Sequence, residues 1–264
     1  MKKKVSWDYF RKNKISYLES IVDTKKFIIN KKIVPYGSHW IFFNENIDNK
    51  ELGMDGHPKR GKFFPLLKGY KRVFAGANLI FKKKIYYDDK VKKISEIKSF
   101  EKKNNNKKNI YFLKLANVYL RENVEVLKEI QTIAFIKNNH SPNSVKNDSV
   151  GLSLIHKKNI KYDNINLFRY SALTYNSHRI HYDLNYTRNI EGYESLLVHG
   201  PLIATKVLNE VSNITNSSIK EFNFSIHKPI FVNEKVILKI YFLKSDKTIL
   251  IAKIFKIRNE LAFK

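Results

Sequence analysis

Two seven-residue stretches, 145 positions apart, constrain this chain more than any other feature. Ile85-Tyr86-Tyr87-Asp88-Asp89-Lys90-Val91 and Ile230-Phe231-Val232-Asn233-Glu234-Lys235-Val236 each read as a strand end, an acidic or amide turn, and the start of the next strand. The flanking apolar runs recur in the same order. They predict strands at Val73–Phe81, Lys90–Ile97, Ile110–Leu120 and Val124–Ile136, and again at about 219–231, 234–244 and 247–257. Helical spacing is predicted over 5–22 (Val5, Tyr9, Phe10, Ile15, Leu18, Ile21, Val22), over 166–174, and from Pro201 through Leu202, Ile203, Ala204, Val207, Leu208 and Val211. A helix followed by antiparallel strands, occurring twice, is an α+β pattern from internal duplication, and one continuous sheet should wrap two central helices. Residues 35–70 are punctuated by Gly and Pro, residues 98–109 read as a polar hairpin loop, and 137–152 as a linker. The chain therefore divides into 1–136 and 153–264 on either side of that linker.

Charge asks whether the partner is a nucleic acid. Lys plus Arg number 50 against 24 Asp plus Glu, a formal charge of +26. The excess is spread in Lys clusters among Asn and Ile along the whole chain, not concentrated on one element with interleaved aromatics, so it reads as composition bias on solvated faces. No nucleic-acid partner is expected, although a positive field would help collect an anionic substrate. The absence of Cys removes disulfides, thiolate catalysis and zinc–thiolate sites. No apolar run approaches the ~18 residues a membrane helix needs, and the lysines at positions 2–4 have no apolar segment behind them. A cytoplasmic protein without a membrane partner is expected.

The polar chemistry concentrates in Tyr170–Asp183, followed by Val198-His199-Gly200-Pro201. His178, His181 and His199 fall within 22 positions. A metal site from these histidines with Asp183 lacks any motif such as HExxH, and none is expected. Acid–base chemistry fits better, because neutral His both takes and gives a proton near pH 7. His178 also reads as an ordinary polar group of a turn, and Asp183 as a helix N-cap. Asn176 can hold a water or orient a ring. His199-Gly200-Pro201 fits a helix start, where the Gly200 N–H and the helix dipole would suit a developing oxyanion. In the first half, His39-Trp40 and Asp55-Gly56-His57-Pro58-Lys59-Arg60-Gly61 stand out. The second reads equally as a surface loop or as an anion-facing loop, with His57 and Arg60 as its binding groups. There is no Walker loop, G-x-S-x-G or dinucleotide fingerprint.

Tyr175–Asp183, Glu191-Gly192-Tyr193 and Leu197–Leu202 resemble the MaoC-like hydratase/dehydratases, in particular the mesaconyl-C4-CoA hydratases and type 2 hydroxyacyl-thioester dehydratases. His39–Phe43, Asp55–Gly61 and Arg72–Gly76 resemble the N-terminal half of that subgroup. The resemblance implies a double hot-dog fold, one site where the halves meet, no cofactor, and reversible hydration of an enoyl-CoA or dehydration of a 3-hydroxyacyl thioester. The family's Asp/His acid–base pair falls on Asn176 and His181, so only the His is retained. Its oxyanion donor falls on Gly200, and His178 stands where the motif has an Asn. His178, His199, His57 and Arg60 are expected to contact substrate. Alternatives are an acyl-carrier-protein dehydratase of fatty-acid synthesis, or a non-catalytic acyl-thioester- or RNA-binding module. The chain is expected to be a monomer whose halves form a pseudo-dimer, or a homo-oligomer.

Overall fold

The computed structural model describes residues 3–22, 32–105, 108–137, 150–257 and 259–264. The first half runs β1 (Lys3–Tyr9), α1 (Lys12–Glu19), two single 3-10 turns (Ser38–Ile41 and Asn49–Glu51), then β2 (Lys71–Phe81), β3 (Lys90–Asn105), β4 (Lys108–Arg121) and β5 (Val124–Ile136). The second runs β6 (Leu152–Lys161), α2 (Asn164–Thr174), a 3-10 turn (Arg179–His181), α3 (Leu184–Asn189), α4 (Gly200–Thr215), then β7 (Glu221–Ser225), β8 (Lys235–Leu243), β9 (Asp246–Phe255) and β10 (Leu261–Phe263).

The strands form a six-stranded sheet, β1-β3-β4-β5-β2-β7, and a four-stranded sheet, β10-β9-β8-β6. All pairings are antiparallel. β2 of the first half pairs with β7 of the second, Gly76 opposite Ser225. Beyond β7 the chain meets β10 through an Ile226–Phe263 bridge and reciprocal Ser225–Lys264 hydrogen bonds. The two sheets are thus stitched edge to edge. This is the double hot-dog arrangement.

The repeated heptapeptides fold alike. Asp88 and Asn233 both take left-handed φ, 64° and 63°, as short polar side chains tolerate. Asp89 Oδ2 accepts from the Tyr86 N–H, and Glu234 Oε2 from the Phe231 N–H. The Val34 N–H donates to Ile85 O as the Val198 N–H donates to Ile230 O.

The core gathers on α4. Leu202, Ile203, Ala204, Val207, Leu208 and Val211 are buried against strand residues of both halves, among them Leu79, Phe224, Leu238 and Ile254. Each such fully buried aliphatic side chain is worth roughly 1.5–3 kcal/mol.

Three sequence expectations are corrected. Residues 5–22 are not one helix: Lys3–Tyr9 is a strand on β3, with Val5, Trp7 and Tyr9 facing out. Residues 98–105 are not loop but the far end of β3, paired with β4 and pinned by Phe100 stacked on Tyr111 at 5.5 Å. Among the described residues there is one long central helix, α4. At the equivalent place in the first half stands the four-residue turn Ser38–Ile41. Of the expected linker, 138–149 lies outside the described residues.

Candidate active site

The polar cluster sits where α2 ends and α4 begins. Asp163 caps α2 by accepting from the Asn166 N–H at 2.8 Å, and Asn166 answers in a capping box. The helix ends at Tyr175 in left-handed conformation (φ 51°), which turns the chain so that Asn176 follows into the cavity wall. Asn176 Oδ1 accepts from the His178 N–H at 3.1 Å. Asp183 is the N-cap of α3, accepting from the Tyr186 N–H at 2.9 Å and pairing with Arg179 at 2.7 Å. It is structural, as its N-cap reading predicts.

A loop of the first half completes the cluster. The backbone of Gly56 (φ 83°) lies so close to Ser177 O that no side chain would fit. Ser177 Oγ donates to Gly56 O at 2.5 Å, and the Arg179 N–H to Asp55 O at 2.9 Å. This docking puts His57 against His178, ring centroids 3.9 Å apart. His178 lies 5.5 Å from His181, which stacks on His199 at 3.6 Å. Four histidines thus run in a row across the junction.

They line one cavity of about 610 Å³ together with Asn176, Gly200 and Arg72. The second half supplies most of the polar groups, and the first adds His57, Arg72 and Gln131. The first supplies an apolar wall that includes Phe64, Ile110, Phe112 and Ile133. Of the residues the sequence singled out, His181, Asn176, Gly200, His178, His199 and His57 meet here. Arg60 does not: its guanidinium donates to Tyr70 O at 2.8 Å away from the cavity. Two contributors escaped the sequence reading. Arg72 lies on β2, and Ser171 holds His199 Nε2 at 2.8 Å. Their only sequence signal was their place inside Arg72–Gly76 and Tyr170–Asp183.

His181 Nδ1 lies 2.8 Å from Leu197 O, so it must carry the proton and donate it. Nε2 is left with its lone pair. Burial is the main force that lowers the His181 pKa, to about 4; the Leu197 hydrogen bond opposes it and the field of His57 adds to it. Burial, then the fields of His57 and His181, also pushes His178 down, and burial with His181 pushes His199 down. For His57 burial acts first and Arg72 second, against Asp55. The row is neutral near pH 7, a state that accepts protons. Gly200 is the first residue of α4, so its N–H has no partner within the helix. Ile226 Cδ1 and Phe74 Cδ1 would lie 2.5 and 3.0 Å from any Cβ placed on Gly200.

Ligand atoms of Asp55, His57 and His178 all lie within 4.8 Å of one another, a set able to hold a metal ion, where the sequence leads to no metal site. The positive field of Arg72 acts on both histidines and opposes a cation there.

The family description hydroxyacyl-thioester dehydratase type 2 matches residues 37–232. The chain belongs to that family. It is 30% identical over 196 residues to mesaconyl-C(4)-CoA hydratase of Chloroflexus aurantiacus, covering 73% of this chain and 69% of that protein. The fold matches a MaoC-like dehydratase of Phytophthora capsici with TM-score 0.77 at 10% identity, covering 100% and 92% of the two chains. A Mycobacterium tuberculosis protein described as a double hotdog fold matches with TM-score 0.63 at 9% identity, over 100% and 94%. Among the described residues no helix is long and apolar enough to cross a membrane.

Proposed function

We propose that this hydro-lyase adds water reversibly across the C2–C3 bond of an enoyl-CoA. The observation that carries the mechanism is the fixed tautomer of His181, a buried neutral imidazole with Nε2 free at the cavity wall. Nε2 takes a proton from water as the water oxygen bonds to C3. The electron pair moves to the thioester oxygen, where the Gly200 N–H and the dipole of α4 stabilise the enolate. The proton then returns from Nε2 to C2, so atoms and charge balance with no cofactor. The Asn176 side chain holds the attacking water with its amide, since its oxygen is occupied by the His178 N–H. His178, His199 and His57 line the path as neutral polar walls. We assign residues 1–136 to the degenerate half, 137–152 to the linker and 153–264 to the half that carries acid–base chemistry. A panel of enoyl-CoA thioesters, crotonyl- and mesaconyl-C4-CoA included, followed by loss of enoyl absorbance, tests the activity. Hydration of at least one is expected. Absence of turnover on all, with His181→Ala indistinguishable from wild type, would replace the enzyme by a binding module.

A further inference from the structure

Of the cations before and at the start of β2, Lys71 and Arg60 have partners. Lys71 Nζ pairs with Glu191 Oε2 at 3.0 Å, and Arg60 donates to Tyr70 O. Arg72 is different. Among the described residues its guanidinium has no hydrogen-bond or ion-pair partner, yet it lines the cavity. Its Cζ sits 5.0 Å over the Phe64 ring, which fixes the plane of the fork without using its donors. Asp55 is the carboxylate with the largest field on it, and that group is engaged by the His57 N–H at 3.0 Å. A partly buried guanidinium without a counter-ion, in a wall rich in Phe and Ile, is costly unless an anion arrives with the ligand.

Resting on the hydro-lyase reading above, we propose that Arg72 is a specificity residue that grips a carboxylate on the acyl group. The substrate class is then the monothioester of an unsaturated dicarboxylic acid, not a plain fatty enoyl thioester. The placement suits this chemistry. Arg72, His57, His178 and His181 all line one cavity, and the field of Arg72 reaches His57 and His178, so a carboxylate gripped by Arg72 lies within the cavity that holds the histidine row. Two parallel N–H donors match a carboxylate. Neutralising it also removes a negative charge that would oppose the growing enolate. Gln131 reinforces the polarity of this wall. It lines the same cavity, and its amide is tied to the buried Glu129 at 2.8 Å.

Phosphates of the coenzyme could supply the same anion, and the test separates the two sources. Succinyl-CoA and butyryl-CoA differ at the chain end by a carboxylate in place of a methyl group, and neither can be hydrated. Calorimetric titration of wild type with both, and with coenzyme A alone, should show succinyl-CoA binding roughly 10–100-fold tighter than butyryl-CoA, the usual worth of a hydrogen-bonded charge. Arg72→Gln should erase that preference while leaving butyryl-CoA and coenzyme A unchanged, and Arg72→Lys should keep part of it. Retained butyryl-CoA binding shows that the variant is folded. Equal wild-type affinity for the two thioesters, or an Arg72→Gln loss shared by butyryl-CoA and coenzyme A, would overturn the anchor and leave the hydro-lyase reading standing. Wild type that binds neither thioester would sink that reading and the anchor with it.

Discussion

The two halves share a strand plan and differ where chemistry happens. Equivalent backbone hydrogen bonds align Val34 with Val198, and so Pro35 with His199 and Tyr36 with Gly200. In the second half this position opens a 16-residue helix with an unpartnered N–H at its head. In the first no helix opens there, and the chain enters the four-residue 3-10 turn Ser38–Ile41 two residues later. The Gly200 N–H has its counterpart in the Tyr36 N–H, but that group heads no helix, and so short a turn has little dipole to offer. Even the cavity is duplicated. A space of about 380 Å³ is lined by Val34–His39, Phe81–Ile85 and Ser218–Lys220, the counterparts of Val198–Ile203, Ile226–Ile230 and Val73–Ala75 around the candidate site. Duplication thus supplied two hollows, and only one has the row of histidines and the long helix with Gly200 at its head. The other half was left free to shape the wall: His57, Arg72 and the apolar strands face the site of its partner.

The largest test of this asymmetry is His181→Ala, which should lower kcat by roughly 10²–10⁴-fold, the usual share of a positioned acid–base group. An intact fold by circular dichroism with unchanged kcat would remove His181 from the chemistry. Gly200→Ala comes next. Its Cβ must displace Ile226 or Phe74, and kcat should fall about 10–100-fold as the donor moves from the carbonyl. The first-half counterpart gives the contrast. Tyr36→Phe removes the hydroxyl that accepts from the Ile219 N–H at 2.8 Å, which should cost about 1–3 kcal/mol of stability with kcat untouched. A kcat effect there as large as at Gly200 would erase the distinction between the halves.

Acid should expose the same difference. The His181 pKa falls from 6.5 to about 4 on folding, so the unfolded chain binds the proton more readily between those values. The stability this neutral ring contributes is fully present above pH ~6.5 and is lost as pH falls towards 4. The loss is at most ~1.4 kcal/mol for each pH unit crossed. Urea midpoints measured from pH 7 to pH 4 should drop for wild type and drop less for His181→Gln. Parallel curves would show that the ring is not buried neutral. The smallest effect is expected at Asn176→Asp. The new carboxylate can still accept from the His178 N–H, so activity should stay within about tenfold of wild type or rise, since a second base then faces the water. Collapse of activity with retained fold would show that the neutral amide is required.

Much of the site was legible because its residues are local. Asn176, His178 and His181 sit on one turn, and His199-Gly200 heads a helix whose apolar stripe is plain from Leu202 to Val211. Strand β1 was less legible. Val5 and Tyr9, four positions apart, fall in step with the helical residues that follow them, and only β3 supplies the lysines, Lys90 and Lys92, that cover the Trp7 ring. β6 is a polar edge strand with just Leu152, His156, Lys158 and Ile160 half-sheltered, and β10 has three residues, too short for any period. Residues 98–105 carry loop composition, and their strand exists because β4 pairs with them.

What the sequence determined by itself is the duplication, the start of the central helix and the local cluster that holds the histidine proposed for proton transfer. Each is written in spacing or in contiguous residue types, which local backbone preference reads directly. Only the tertiary structure decided which first-half cation faces the cavity. Arg60 and Arg72 are chemically alike and twelve positions apart. Arg60 is turned back onto Tyr70 O, whereas β2, lying beside β7 at the seam, carries Arg72 into the wall. A side chain's chemistry is local, but the direction it faces is set by the partners its backbone pairs with.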